Sequence, residues 1–282
     1  MATIKPTFTV DKINEYLRKY RKITFKEGTY VLDKMITVCS NTKIKCQPGV
    51  IFKRNCLKQM MEMEASNDVT GYNGTHDVTW SGGTFIANTR KEDAIVIVLY
   101  HCKNITLKNI TVDGCRGYHS IECNSSQNVK IKNCTFKNQS SLPGVTYREA
   151  IQIDFAYQLG YPYRGNTNVH VPANDGTHCK DIYITGCKFE NCPNGIGTHT
   201  VCLTPMYHEH IVITDCEFKD IEKCGIQLFS MKDVIIKNCP TALIGVFIKK
   251  KAHKLTGEMV DLSEKDWRYN INVRIDSNII VQ

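Results

Sequence analysis

With 282 residues, 42% of them hydrophobic and 23% charged, the chain has ordinary globular composition, and it lacks the run of about 18 apolar residues that a membrane-spanning helix needs. Its formal net charge of +8 is mostly dispersed along the sequence. The tight basic groups, Arg18-Lys19-Tyr20-Arg21-Lys22 and Lys249-Lys250-Lys251, read as solvated surface, so nucleic acid is not an expected partner, whereas an anionic polysaccharide suits a mildly basic surface.

No apolar stretch of signal-peptide length follows Met1 to Pro6, so cytoplasmic synthesis is expected. The 14 cysteines then read as mostly free, buried thiols rather than a disulfide framework.

The first element is a helix over residues 10 to 20. Val10, Ile13, Leu17 and Tyr20 recur at helical spacing after Thr9, with charged residues between them, and the helix should cap the amino end of the fold. Short alternating strings come next, Ile23-Thr24-Phe25-Lys26-Glu27-Gly28-Thr29-Tyr30 and then Ser40-Asn41-Thr42-Lys43-Ile44.

From residue 76 one strand recurs six times: His76 to Trp80, Lys103 to Leu107, Gln127 to Ile131, Lys180 to Ile184, Glu209 to Ile213 and Lys232 to Ile236. Between the first apolar residues Val78, Ile105, Val129, Ile182, Ile211 and Val234 the steps are 27, 24, 53, 29 and 23 residues. The long step is either two turns or one turn with an insertion. Five residues after each marker stands Gly83, Ile110, Cys134, Cys187, Cys216 or Cys239, and seven after it Phe85, Val112, Phe136, Phe189, Phe218 or Thr241.

A period of 20 to 30 residues made of alternating strands means stacked coils, each burying its inner face on the next. The alternation excludes helical repeats, and the Leu/Asn consensus of leucine-rich repeats is absent. The cysteine column reads as small apolar side chains stacked inside the coil, and without Cys-x-x-Cys spacing no metal is expected. Residues 245 to 282 leave the coil pattern and read as a second cap, in which Ile271, Val273 and Ile275 suggest a strand. The whole is expected to be one all-β domain, with a cap at 1–22, coils over 23–244, a loop insertion at 155–178 and a cap at 245–282.

These strings resemble the pectate-lyase-like superfamily over roughly residues 5 to 240. The central coils are similar to polygalacturonase-type glycoside hydrolases and to bacteriophage tailspike depolymerases. The resemblance implies a right-handed parallel β-helix. Polygalacturonases carry an Asn-Thr-Asp string and, one coil on, an Asp-Asp pair, whereas the comparable stretches here run from Tyr147 to Asp154 and from Cys192 to His199. One acidic residue survives on the first and the paired aspartates are absent, so galacturonan hydrolysis by the family mechanism is not implied.

Coil register points to a site independently. With Ile121, Ile151, Ile196 and Ile226 facing inward, alternation turns Glu122, Gln152, Gly197 and Gln227 outward, followed by Asn124, Asp154, His199 and Phe229. If their coils are consecutive, Glu122 and Asp154 stand roughly 8 Å apart on the diagonal. Inverting glycosidases hold their acid and base about 6.5–9.5 Å apart to admit water, so one of the pair is the expected acid and the other the base.

His199 is placed to bind substrate or tune Asp154, Asn124 and Gln152 to bind it, and His119 and Glu149 stand in reserve if the register slips by one residue. The stretch after Asp154 breaks the pattern. Its Tyr157, Tyr161, Tyr163 and Arg164 suit sugar rings and acidic sugars, or else pack that loop onto the coil. Asn138, Asn191 and Asp220 read as turn residues.

The expected function is binding, and cleavage by a glycoside hydrolase, of a polysaccharide laid across the coils, with no cofactor. The resemblance to tailspikes implies a virion-associated protein released by lysis and admits a homotrimer. A non-catalytic receptor-binding or structural tail protein is the rival reading, and a polysaccharide lyase or epimerase a further one.

Overall fold

The computed structural model describes residues 1–57, 59–65, 68–141, 148–156, 175–198 and 207–239, together with strands at 243–246, 251–253, 259–261, 271–275 and 280–281. Each turn of the chain lays one strand on each of three faces, parallel to its counterpart one turn earlier. The first face is a ten-stranded parallel sheet that includes Lys22–Phe25, Lys43–Cys46, His76–Ser81, Lys103–Lys108, Gln127–Lys132, Lys180–Thr185, His208–Thr214 and Met231–Lys237.

The second face runs through Gly28–Leu32, Val50–Arg54, Thr84–Ile86, Thr111–Asp113 and Thr135–Lys137. The third runs through Ile36–Val38, Met61–Met63, Ile97–Tyr100, Ile121–Asn124 and Glu149–Asp154. The long strands Lys188–Gly197 and Glu217–Leu228 turn from the second face onto the third and join the two into one sheet. This is a parallel β-helix.

The repeat is visible as register. Val78, Ile105, Val129, Ile182, Ile211 and Val234 are successive strand partners, as are Phe85, Val112, Phe136, Phe189 and Phe218. Because Val129 pairs directly with Ile182, the 53-residue step is one turn with insertions. Inside, the Phe136, Phe189 and Phe218 rings stack with centroids 5.2 and 4.8 Å apart. All 13 described cysteines are free and buried. Burial pushes the Cys102 and Cys115 thiols up to about 12, so they pack as neutral apolar groups.

The corners need backbone that few residues tolerate. Every described non-glycine residue with positive φ is Asn, Asp, His or Ser, whose short polar side chains make left-handed backbone less costly. One corner column is Asp77, Asn104, Asn128, Asp181, His210 and Asp233, and its side chains bond from coil to coil: Asn128 Nδ2 donates to Asn104 Oδ1 at 2.8 Å and Asn104 Nδ2 to Asp77 Oδ1 at 2.9 Å. Asn138 and Asn191 form a second such ladder at 3.2 Å, and Asp220 shares their positive φ, as turn residues should.

At the amino end the helix Val10–Lys19 buries Val10, Ile13 and Leu17 against the coils, and its N-cap Thr9 accepts from the Lys12 N–H. A strand not expected from the sequence, Ala2–Ile4, pairs with Lys22–Phe25 and adds a further edge to the first face. The strand expected around Ile271 to Ile275 forms and extends the same face at its other end.

Two substitutions test this frame by denaturant unfolding. Phe189→Ala should lose about 3–5 kcal/mol by opening a cavity in the ring stack. Asn128→Val should lose about 1–3 kcal/mol, because a β-branched residue is strained at φ 51° and cannot join the ladder, while Asn128→Gly should lose less.

Candidate functional site

The third face carries the polar residues singled out from the sequence. Its inner column, Ile121, Ile151, Ile196 and Ile226, pairs in register, so the alternation assumed for the outer side holds and does not slip. Glu122 lies opposite Gln152 and Asn124 opposite Asp154. Glu122 and Asp154 are therefore on neighbouring strands and two residues apart along them, a diagonal of about 8 Å between backbones.

Amides flank both acids. Asn124 Nδ2 donates to Glu122 Oε2 at 3.3 Å and Gln152 Nε2 to Asp154 Oδ2 at 2.9 Å, while the Phe155 N–H donates to Asp154 Oδ1 at 2.9 Å. Although they point away from the coil interior, these groups are not solvated: Glu122 is 5% exposed, Gln152 5%, Asn124 2% and Asp154 1%.

A third acid, missed in the sequence, shares the Glu122 column. Glu62 lies across from Val98, which lies across from Glu122, so the two glutamates are two strands, about 10 Å, apart. Glu62 is also buried, and Gln59 Nε2 donates to its Oε2 at 2.6 Å. Its signal was faint because Met61–Met63 precedes the recurring string. The strand partners Ile36–Val38 and Ile97–Tyr100 are what mark it as part of this face.

His119 and Glu149 meet elsewhere. Glu149 has the inward parity of Ile151 and continues the column of Asn194 and Cys224, and it is fully buried. His119 Nδ1 is 2.8 Å from the Glu149 carbonyl oxygen and 3.7 Å from Oε2. Gln139 ties the same corner together, accepting from Ser120 Oγ at 3.0 Å and donating to the carbonyls of Tyr118, Arg148 and Glu149 at 3.0 to 3.3 Å. This corner sets where Glu149–Asp154 begins.

Chain excursions flank the face on both sides. Among the described residues, Ala65, Val69, Ile95, Val98 and Tyr100 form an apolar cluster outside the coil, with Tyr118 against it. The stretch 71–74 is tied to its surroundings: the Gly71 N–H donates to Asp175 Oδ2 at 2.7 Å, Tyr72 donates to the His178 carbonyl at 3.0 Å, and His101 Nδ1 lies 2.7 Å from the Gly71 carbonyl. Behind Asp154, Cys179 Sγ donates to its carbonyl at 3.2 Å and the Cys179 N–H to His208 Nδ1 at 3.0 Å. Burial lowers the neighbouring His178, with His208 beside it acting the same way. His199, Tyr157, Tyr161, Tyr163 and Arg164 lie outside the described residues. Among the described residues no cluster of His, Cys, Asp and Glu could hold a metal ion.

No family model matches the chain. Plasmin and fibronectin-binding protein A of Streptococcus pneumoniae is 23% identical over 254 residues, a match that covers 76% of this chain and 33% of that protein, so the chain spans about a third of its length. The crystal structure of PfbA, a surface adhesin of Streptococcus pneumoniae, gives a TM-score of 0.64 at 20% identity and covers 97% of this chain and 68% of that one. ORF18 of Geobacillus virus E2 gives 0.59 at 12% identity, over 80% of this chain and 42% of its own. An ι-carrageenase complexed to ι-carrageenan fragments gives 0.51 at 14% identity, over 98% and 57%. The likeness is one of fold. The chain is a right-handed parallel β-helix.

The corner that carries Glu149 gives a direct test. Gln139→Leu leaves the Ser120 hydroxyl and the three carbonyls without that amide, and urea unfolding should register a loss of about 1–3 kcal/mol.

Proposed function

We propose that this β-helix binds polysaccharide along the outer side of its third face and hydrolyses it with Glu122 and Asp154. The observation that carries the reading is the diagonal placement of two amide-flanked carboxylates on neighbouring strands. Glycosidic cleavage needs one group to protonate the leaving oxygen and another to activate water, and carboxyl groups held apart by about the backbone diagonal would leave room for the water between them. The likeness in fold to an enzyme seen with ι-carrageenan fragments supports a polymeric substrate laid across coils. Asn124 and Gln152 would then orient the sugar and the acids together.

The second reading is a non-catalytic, glycan-binding surface protein. Two observations favour it: the likeness to the PfbA surface adhesin and the burial of the carboxylate pair, which must open to admit a sugar. A virion-associated setting, which the resemblance to tailspikes implies, suits either reading.

Incubation of the protein and an Asp154→Asn variant with bacterial surface, plant and algal polysaccharides separates them, with reducing ends and the ultraviolet absorbance of unsaturated products as readouts. Hydrolysis should release reducing ends without that absorbance, and the variant should be slower by about 100-fold or more. Saturable binding with no turnover on any glycan would leave the adhesin reading, and unsaturated products would mean a lyase.

A further inference from the structure

The charge that is dispersed along the sequence is not dispersed on the fold. Outward residues of the first face form two columns. One runs Lys22, Lys43, Thr79, Thr106, Lys130, Tyr183, Val212, Ile235, and the other Thr24, Lys45, Ser81, Lys108, Lys132, Thr185, Thr214, Lys237. Seven lysines, exposed or half-buried, share these columns with hydroxyl side chains, and neither column contains Asp or Glu. Lys108 and Lys132 are direct strand partners, as are Lys22 and Lys43, so like-charged residues stand opposite each other on strands about 4.8 Å apart. Such pairs are unfavourable in a sheet.

The second face shows how the same chain handles charge when only stability is at stake. There Lys137 pairs with Asp113 at 3.2 Å, Lys188 with Glu217 at 2.9 Å and Lys219 with Glu190 at 2.9 Å, all across neighbouring strands. On the first face the nearby carboxylates stay at the edges and are taken up there: Asp77 by His76, Asp181 by His210, Glu209 by Lys180 and Lys232. The central columns keep a net positive charge along the face.

We propose that the first face is a second binding surface, for a linear anionic polysaccharide lying along the helix axis across the strands. Lysine side chains answer its carboxylate or sulfate groups, the threonine and serine hydroxyls between them answer sugar hydroxyls, and Tyr183, with Lys130 Nζ 5.9 Å from its ring centroid, offers a flat face to a sugar ring. A nucleic acid fits less well. Single strands want several aromatic platforms, and duplex grooves want a protruding helix or ribbon, while this face is a flat sheet with one aromatic side chain in its columns. The surface is separate from the carboxylate pair and does not depend on its chemistry.

The test is binding of the full chain to immobilised heparin, with neutral dextran and duplex DNA as comparisons. The triple variant Lys108→Thr, Lys130→Thr, Lys132→Thr is set against a charge-matched control on the second face, Lys137→Thr, Lys188→Thr, Lys219→Thr, with thermal melting to show that both fold. Heparin should bind more tightly than DNA, dextran should not bind, and affinity should fall as salt rises. The first-face variant should lose at least tenfold and the control less than threefold. Equal losses in the two triple variants would reduce the effect to net charge and overturn the proposal, as would DNA binding as tight as heparin or no heparin binding at all.

Discussion

Everything in this molecule depends on parallel strands holding one register from coil to coil. A strand on any face finds its backbone partners on the turns before and after it, so each turn must bring the chain back to the same three faces in the same phase. Apolar columns fix that phase from inside, since a slip by one residue would turn Val129 or Ile151 outward. The corners fix it from outside, through left-handed Asn, Asp, His and Ser residues whose side chains also bond along the stack. Neither device suffices alone: the columns do not turn the chain, and the corners bury little apolar surface.

A consequence is that length can vary only where it does not disturb the register. The turns between the first and second faces are tight, two residues each from Ser81 to Thr84, Lys108 to Thr111 and Lys132 to Thr135. The connections on either side of the third face absorb the insertions, as in 138–148 before Glu149–Asp154 and 155–179 after it. The third face is therefore the floor between two variable margins. It is also where Glu62, Glu122 and Asp154 are buried with amides beside them, on a rigid sheet that fixes their spacing.

The same register sorts charge. Residues about one coil apart in the chain become neighbours a strand spacing apart, so a lysine repeated at the coil period becomes a stripe. On the second face these stripes alternate in sign and close into ion pairs; on the first they do not. A β-helix with three faces can thus carry different chemistry on the outer side of each while sharing one core.

The recurring six-strand string by itself determined the fold, because a parallel stack writes its period into the sequence: inner residues are apolar every second position, and the corners favour short polar residues that tolerate left-handed backbone. For the same reason the diagonal relation of Glu122 to Asp154 was legible from the chain alone, once Ile121 and Ile151 were set in phase. Tertiary structure alone decided that the 53-residue step is one turn, since an insertion has no period, and that Glu62 belongs with Glu122, since its short strand lies outside the recurring string. It also decided that the acids are buried rather than solvated, and that scattered lysines gather on one face. Burial depends on what packs over a residue and charge density on what lies across the strand, and both are contacts between residues far apart in the chain.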